Sequence, residues 1–289
     1  MYKSPHPPSD PNAKDKDASG NKLTVLTELT PSGPYVFQVG EVPSVMDVAW
    51  ELIDQGDFPP WSSMLATAQT QGRGRQGRSW TSPKGHVYAA FRLPLQAPFI
   101  GSLASVALGF ALVQAFRDEG LMVWLKWPND LLVPEGKAGG ILLENRKGAL
   151  LAGIGLNIGF SPFPPELRDP HAPPPAAFPA RVGPPEELWP RLAKNVLLRY
   201  NTNFPAKDPD WARTFCALAE ESLAGLGGAV TVLQPVTEPR SETSALTGLL
   251  SGLAPSGALR VEGPNGLITV WSGTLILPIT PLAAISPNV

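Results

Sequence analysis

The sequence predicts an α+β fold: a mixed or antiparallel central sheet flanked by helices, followed by a small β-barrel near the C-terminal end. Three observations predict it. Leu103, Val106, Ala107, Phe110, Val113 and Phe116 recur at helical spacing. Two apolar runs, 140–144 and 150–158, flank an Arg–Lys–Gly turn at 146–148 and read as paired strands. Beyond Gly228, five short β-rich runs are separated by Gly, Pro and Asn turns, which suits a barrel of about fifty residues.

The elements follow in order. Residues 1–22 are rich in Pro, Ser, Lys and Asp and read as a disordered leader, with too little apolar surface to offset the entropy of ordering. No stretch there resembles a signal peptide. Residues 23–39 suggest short strands split by a turn at Pro31–Pro34. Ser44 opens a helix, with Asp47 at capping-box spacing. Met46, Ala49, Trp50 and Ile53 form its buried stripe, and Gly56 ends it in a left-handed conformation. Strands are expected at 65–69 and 86–93, a helix over 102–119 closed by Gly120, and a strand at 121–126 leading into a turn. Residues 161–190 are so dense in proline that a long loop is expected, because proline lacks a donor and fixes φ. Helices then span about 186–203 and a segment capped by Asp208 with Pro209 in its first position. Tail strands are expected at 230–233, 245–252, 258–261, 267–271 and 274–277. The implied organisation is a leader over 1–22, a main domain over 23–226 and a small domain over 227–289.

Composition narrows the function. With 43% hydrophobic and 17% charged residues among 289, the chain can bury a sizeable core. A net charge of −2 gives no global signal for nucleic-acid binding. The single cysteine, Cys216, excludes an intrachain disulfide and suits a cytoplasmic setting. Three scattered histidines, His6, His86 and His171, argue against a His- or Cys-based metal site. No apolar run approaches the roughly 20 residues of a membrane span.

Four segments carry chemistry. In Gln69–Thr–Gln–Gly–Arg–Gly–Arg–Gln–Gly–Arg–Ser–Trp80, three glycines interleave with Arg73, Arg75 and Arg78. Glycine lets backbone donors approach an anion, and arginine adds a permanent charge and a planar fork. A ligand with a phosphate next to a carboxyl group would fit. A flexible solvated loop, or one that binds RNA, has the same composition. Lys126–Trp–Pro–Asn–Asp130 is either a turn presenting Lys126, Asn129 and Asp130 to a polar ligand or a plain β-turn with a packed Trp127. Lys137–Ala–Gly–Gly–Ile–Leu–Leu–Glu144 places a lysine at the mouth of a strand, for a ligand or for solvent. In Gly153–Ile–Gly–Leu–Asn–Ile–Gly159, Asn157 stands among apolar residues and needs partners if buried.

Taken together and in this order, the four segments resemble the catalytic domain of biotin–protein ligases. The resemblance is strong over about 35–160 and weaker in the tail, where Trp271–Ser–Gly is similar to the family's last small-barrel strand. It implies a biotin/lipoate ligase-like fold with an SH3-like C-terminal barrel. The implied activity uses ATP to convert biotin to biotinyl-5′-AMP and passes biotin to a lysine of a carrier such as the biotin carboxyl carrier protein of acetyl-CoA carboxylase. Lipoate or other acyl transfer on the same scaffold, or a degenerate biotin-binding protein, are the alternatives.

The resemblance also implies roles for residues. Arg75 and Lys137 would be catalytic. Ser44, Gln69, Gly72, Arg73, Gly74, Arg75, Lys137 and Gly140 would contact biotin. Arg73, Arg75, Arg78, Trp80, Lys126, Asn129 and Asn157 would face ATP, with magnesium carried on its phosphates. Val45, Gln76 and Thr274 depart from the family pattern; Val45 removes a hydroxyl from the biotin side. The first 34 residues are too few for the winged helix of the family's repressors, so no DNA binding is expected. No membrane partner is expected either, and the resemblance admits a homodimer.

Overall fold

The computed structural model describes residues 20, 22–31, 33–162, 172–203, 210–234 and 245–278. In chain order the elements are β1 (Thr24–Glu28), β2 (Tyr35–Val42), α1 (Val45–Gln55), β3 (Ser63–Gln69), β4 (Val87–Leu93), α2 (Leu103–Asp118), β5 (Trp124–Lys126), β6 (Asp130–Val133), β7 (Gly136–Arg146), β8 (Ala149–Leu156), α3 (Pro185–Asn203), α4 (Trp211–Glu220), β9 (Ala229–Leu233), β10 (Ala245–Leu253), β11 (Leu259–Gly263), β12 (Gly266–Val270) and β13 (Thr274–Ile276). The chain forms two compact units. One comprises Met1–Leu95, Ile141–Ile158 and Pro179–Lys194; the other comprises Gln96–Gly140, Gly159–Phe178 and Asn195–Val289.

In the first unit the strands lie in the order β1-β2-β3-β4-β8, next to the C-terminal part of β7. β2 and β3 are parallel, from Val36 opposite Ser63 to Val42 opposite Gln69, and α1 makes the crossover that parallel strands require. The pairs β1–β2, β3–β4 and β4–β8 are antiparallel, so the sheet is mixed as predicted. Alternation along the strands turns Met64, Ala66, Tyr88, Ala90 and Leu151 to one face. They cluster there with Val45, Met46, Val48, Ala49, Trp50 and Leu52 of α1. Gly56 ends α1 at φ 83°, its N–H donating to the Ile53 carbonyl.

Two expectations are corrected here. Ser44 caps α1 with extended backbone, but its side chain makes no capping hydrogen bond, and the Asp47 carboxylate grips Arg73 instead of reaching back to the cap. A bidentate charge-assisted pair outcompetes a carboxylate bond to one amide. The proline-rich loop predicted to reach residue 190 ends earlier, because α3 begins at Pro185 and passes through Pro190. Proline in the first helical position has no donor to lose. Pro190 forfeits one backbone bond, and the fully buried Leu188 and Trp189 beside it offset that loss. The Trp189 indole N–H donates to Ser63 Oγ at 2.7 Å, and its ring meets Phe91 edge-on.

In the second unit α2 is buried on nearly every side, the pattern of an interior helix. β5, β6 and the start of β7 pair antiparallel. Part of the proline-rich segment zips onto β7: the Lys137 N–H donates to the Pro174 carbonyl, and the Ala176 N–H to the Lys137 carbonyl. The five predicted tail strands form an antiparallel sheet in the order β12-β11-β10-β9-β13. Among the described residues, no pairing between β12 and β13 closes it into a barrel. Asp208 and Pro209, expected to start the last helix, lie outside the described residues; α4 begins at Trp211 after Asp210. Among the described residues no helix is long and apolar enough to cross a membrane.

Candidate active site

In the first unit the Gly/Arg segment is a doubled-back loop rising from the end of β3. Trp80 N–H donates to the Gly72 carbonyl at 2.8 Å, and Gly74 N–H to the Arg78 carbonyl at 2.7 Å. A tight turn forms the tip, with the Arg78 N–H donating to the Arg75 carbonyl at 3.2 Å and Gln76 and Gly77 both at positive φ. Gly72 has no room for a side chain: a Cβ would lie 2.3 Å from the Trp80 carbonyl oxygen and 2.5 Å from Ser82 Oγ. Arg75 and Arg78 are exposed on the tip.

Gln69 and Arg73 tie this loop to the start of α1. The Gln69 side-chain carbonyl accepts the Val45 N–H at 2.9 Å, beside Ser44, while its amide donates to Ser82 Oγ at 3.0 Å. Ser82 donates onward to the Trp80 carbonyl. The Arg73 guanidinium makes two bonds to Asp47, at 2.6 and 2.7 Å, and lies 3.7 Å from Glu144. Glu144 in turn accepts the Trp50 indole N–H at 2.8 Å. The bonds from Asp47 raise the affinity of Arg73 for its proton further, so it is a fixed cation.

Strand β8 carries Gly153 and Gly155 for a packing reason. A Cβ on Gly155 would come 2.6 Å from the Trp80 ring, and one on Gly153 would come 2.5 Å from Met46 Sδ. The tryptophan therefore rests directly on the β8 backbone. Asn157, just past the strand, is 5% exposed. The next residue, Ile158, donates its N–H to His86 Nδ1 at 3.0 Å, and burial holds the His86 pKa below its ordinary value. A neutral imidazole thus anchors the peptide that follows Asn157.

In the second unit Lys126 and Lys137 converge on Asp130. Lys137 Nζ lies 2.7 Å from Oδ1 and Lys126 Nζ 3.4 Å from Oδ2. Burial alone would raise the Asp130 pKa, but the two ammonium groups overcome it and hold the carboxyl below its usual range. The cross-strand register explains the meeting. Asp130 begins β6 opposite Gly140, and an irregularity between Leu131 and Leu132 brings Lys137 opposite Leu132. Asn129 N–H donates to the Lys126 carbonyl and closes the turn. Trp127 is 2% exposed, its indole N–H donating to the Gly257 carbonyl at 3.0 Å, so it is a packing residue.

The structure therefore gathers Ser44, Gln69, Gly72, Arg73, Gly74 and Trp80 around the loop base, and Lys126, Lys137, Asn129 and Gly140 around the β6 turn. Sequence reasoning missed Asp47, Ser82, His86 and Glu144, and it did not foresee that Asp130 bridges both lysines. For Asp47 the signal was present but misread as a helix cap. For the others, residue type and spacing carry no trace of the partner. Among the described residues no group of three or more His, Cys, Asp or Glu could hold a metal ion.

Residues 39–161 match the biotin/lipoate A/B protein ligase family model. The chain is 32% identical over 223 residues to the biotin–[acetyl-CoA-carboxylase] ligase of Paracoccus denitrificans, which covers 70% of this chain and 85% of that protein. It is 36% identical over 140 residues to the bifunctional ligase/repressor BirA of Bacillus subtilis, covering 44% of this chain and 42% of that one. The fold superposes on the Aquifex aeolicus biotin protein ligase in complex with biotin and ATP with a TM-score of 0.65 and 25% identity, over 83% of this chain and 97% of the other.

Proposed function

The chain belongs to the biotin–protein ligase family, and from that premise we propose how its residues divide the reaction. The protein activates biotin with ATP to biotinyl-5′-AMP and transfers the biotinyl group to a lysine of a biotin carboxyl carrier protein. One observation carries the reading: the relationship extends over most of the chain, and each of the four motif segments keeps its cation or amide.

In the first step a biotin carboxylate oxygen attacks the α-phosphorus of ATP and pyrophosphate leaves. Two anions must approach, so fixed cations and backbone donors are the natural catalysts. We assign Lys137 to the biotin carboxyl and the phosphoryl oxygens, and Arg75 to retention of the adenylate. Ser44, Gln69, Gly72, Arg73, Gly74 and Gly140 frame biotin. Arg73 also serves the nucleotide side, with Arg78, Trp80, Lys126, Asn129 and Asn157. In the second step the acceptor lysine amine attacks the mixed anhydride carbonyl and AMP leaves. The closed loop excludes water from the anhydride meanwhile.

A magnesium ion would be carried on the nucleotide, since Mg²⁺ takes phosphate and water oxygens readily and needs no all-protein cage. When bound on the nucleotide phosphates, it would neutralise the charge of the leaving pyrophosphate.

The test is intact-mass measurement of an unmodified acceptor domain incubated with the protein, biotin, ATP and magnesium. One biotinyl addition requiring both biotin and ATP is expected. A folded protein that adds nothing, or that adds lipoate in preference, would overturn the reading.

A further inference from the structure

Asp47 belongs to none of the four motif segments, yet it holds one of their arginines. It stands on the first turn of α1, three residues past Ser44, and is linked to Arg73 by the two short bonds described above. The pair lies at the surface of the first unit, with the two side chains 37% and 46% accessible. We propose that Asp47 is a positioning residue for the adenylation reaction: it holds the Arg73 guanidinium in place before biotin arrives, with Glu144 as a second acidic neighbour. The proposal rests on the reading of Arg73 as a ligand contact.

Three features support positioning over a purely structural ion pair. A guanidinium has five donors, and Asp47 takes two of them through one edge of the fork, which leaves donors for a ligand anion. The backbone beneath Arg73 is fixed already, because Gly72 is wedged against Trp80 and Ser82. What stays flexible is the long side chain, and this is what the carboxylate orders. Glu144 has its own anchors in the Trp50 indole N–H and in the Arg146 guanidinium, which pairs with the same carboxylate, so the second acid is also held. Ordering a rotamer-rich side chain in advance removes a cost otherwise met at the moment of binding.

The alternative is that Asp47 competes with the biotin carboxylate for Arg73 and restrains binding. The two roles predict opposite signs. Positioning predicts that Asp47→Ala raises the biotin KM by about threefold to tenfold, the range of one immobilised side chain, with kcat nearly unchanged. Competition predicts a lower KM.

The experiment measures KM and kcat for biotin in adenylate formation, read as pyrophosphate release, for the wild type, Asp47→Ala, Asp47→Glu, Arg73→Ala and the Asp47→Ala/Arg73→Ala double variant. Melting temperatures establish that each is folded. A raised KM in Asp47→Ala, partial recovery in Asp47→Glu, and no further rise when Asp47→Ala is added to Arg73→Ala would establish that Asp47 acts through Arg73. An unchanged or lowered KM in Asp47→Ala, or effects that simply multiply in the double variant, would overturn it. If Asp47→Ala does not fold, Asp47→Asn replaces it, with the same KM rise expected. Inactive wild-type protein would refute the ligase reading, a result distinct from any of these.

Discussion

Lys137 Nζ lies 2.7 Å from the Asp130 carboxylate, and the same carboxylate also faces Lys126. One anion thus serves two cations in a partly buried turn, and it sets where the Lys137 ammonium stands.

Replacing Lys137 with Ala should slow biotinyl-adenylate formation more than tenfold while the protein stays folded, because its proposed role is to act on charge developing at the phosphoryl group. Asp130→Ala should reduce stability by roughly 3 kcal/mol, since two ammonium groups then lose their shared counter-ion. Pyrophosphate release and urea unfolding check the two arms. Unchanged turnover in Lys137→Ala would remove its assigned role. The Asp130 carboxyl titrates below its usual range when folded, so its contribution is complete above the unfolded value and declines only as the pH falls through the lower folded value.

Arg75 sits exposed at the loop tip, and its proposed role is to retain the adenylate. Arg75→Ala should release biotinyl-5′-AMP into solution faster than wild type, with little change in melting temperature. Filtration of labelled adenylate after a single turnover measures the release; equal retention by both proteins would count against the role.

Gly155 lies under the Trp80 ring and Gly153 under the flexible Met46. Gly155→Ala should destabilise the protein by about 1–3 kcal/mol, because a rigid indole must shift. Gly153→Ala should cost less, since methionine adapts its rotamer. Denaturant midpoints decide the order, and a larger loss at Gly153 would contradict it.

His86 accepts the Ile158 N–H as a neutral imidazole, and burial lowers its pKa in the folded state. The unfolded chain therefore binds a proton more readily, so stability should fall as the pH drops below about 6.5 toward the lower folded value. His86→Asn can offer an amide oxygen to the same N–H without titrating. Unfolding midpoints at pH 7.5 and 5.5 should differ less in His86→Asn than in wild type. Identical pH dependence in the two proteins would show that His86 is not the titrating group.

What the sequence alone determined is local. The spacing of Leu103, Val106, Phe110 and Val113 set α2, and Gly56 set the end of α1, because helix periodicity and left-handed backbone depend on near neighbours. The glycines of residues 72–78 marked a tight loop, because close backbone approach and positive φ depend on residue type alone. The helix expected over about 186–203 is α3, which accommodates Pro190 because burial of Leu188 and Trp189 outweighs one lost backbone bond. Tertiary structure decided the pairs. Arg73 meets Asp47 across 26 residues of chain, Ile158 meets His86 across 72, and Trp80 finds its seat on Gly155. Such choices follow from strand register and helix crossover, which place side chains side by side however far apart they stand in the chain. No pattern within a short window records them.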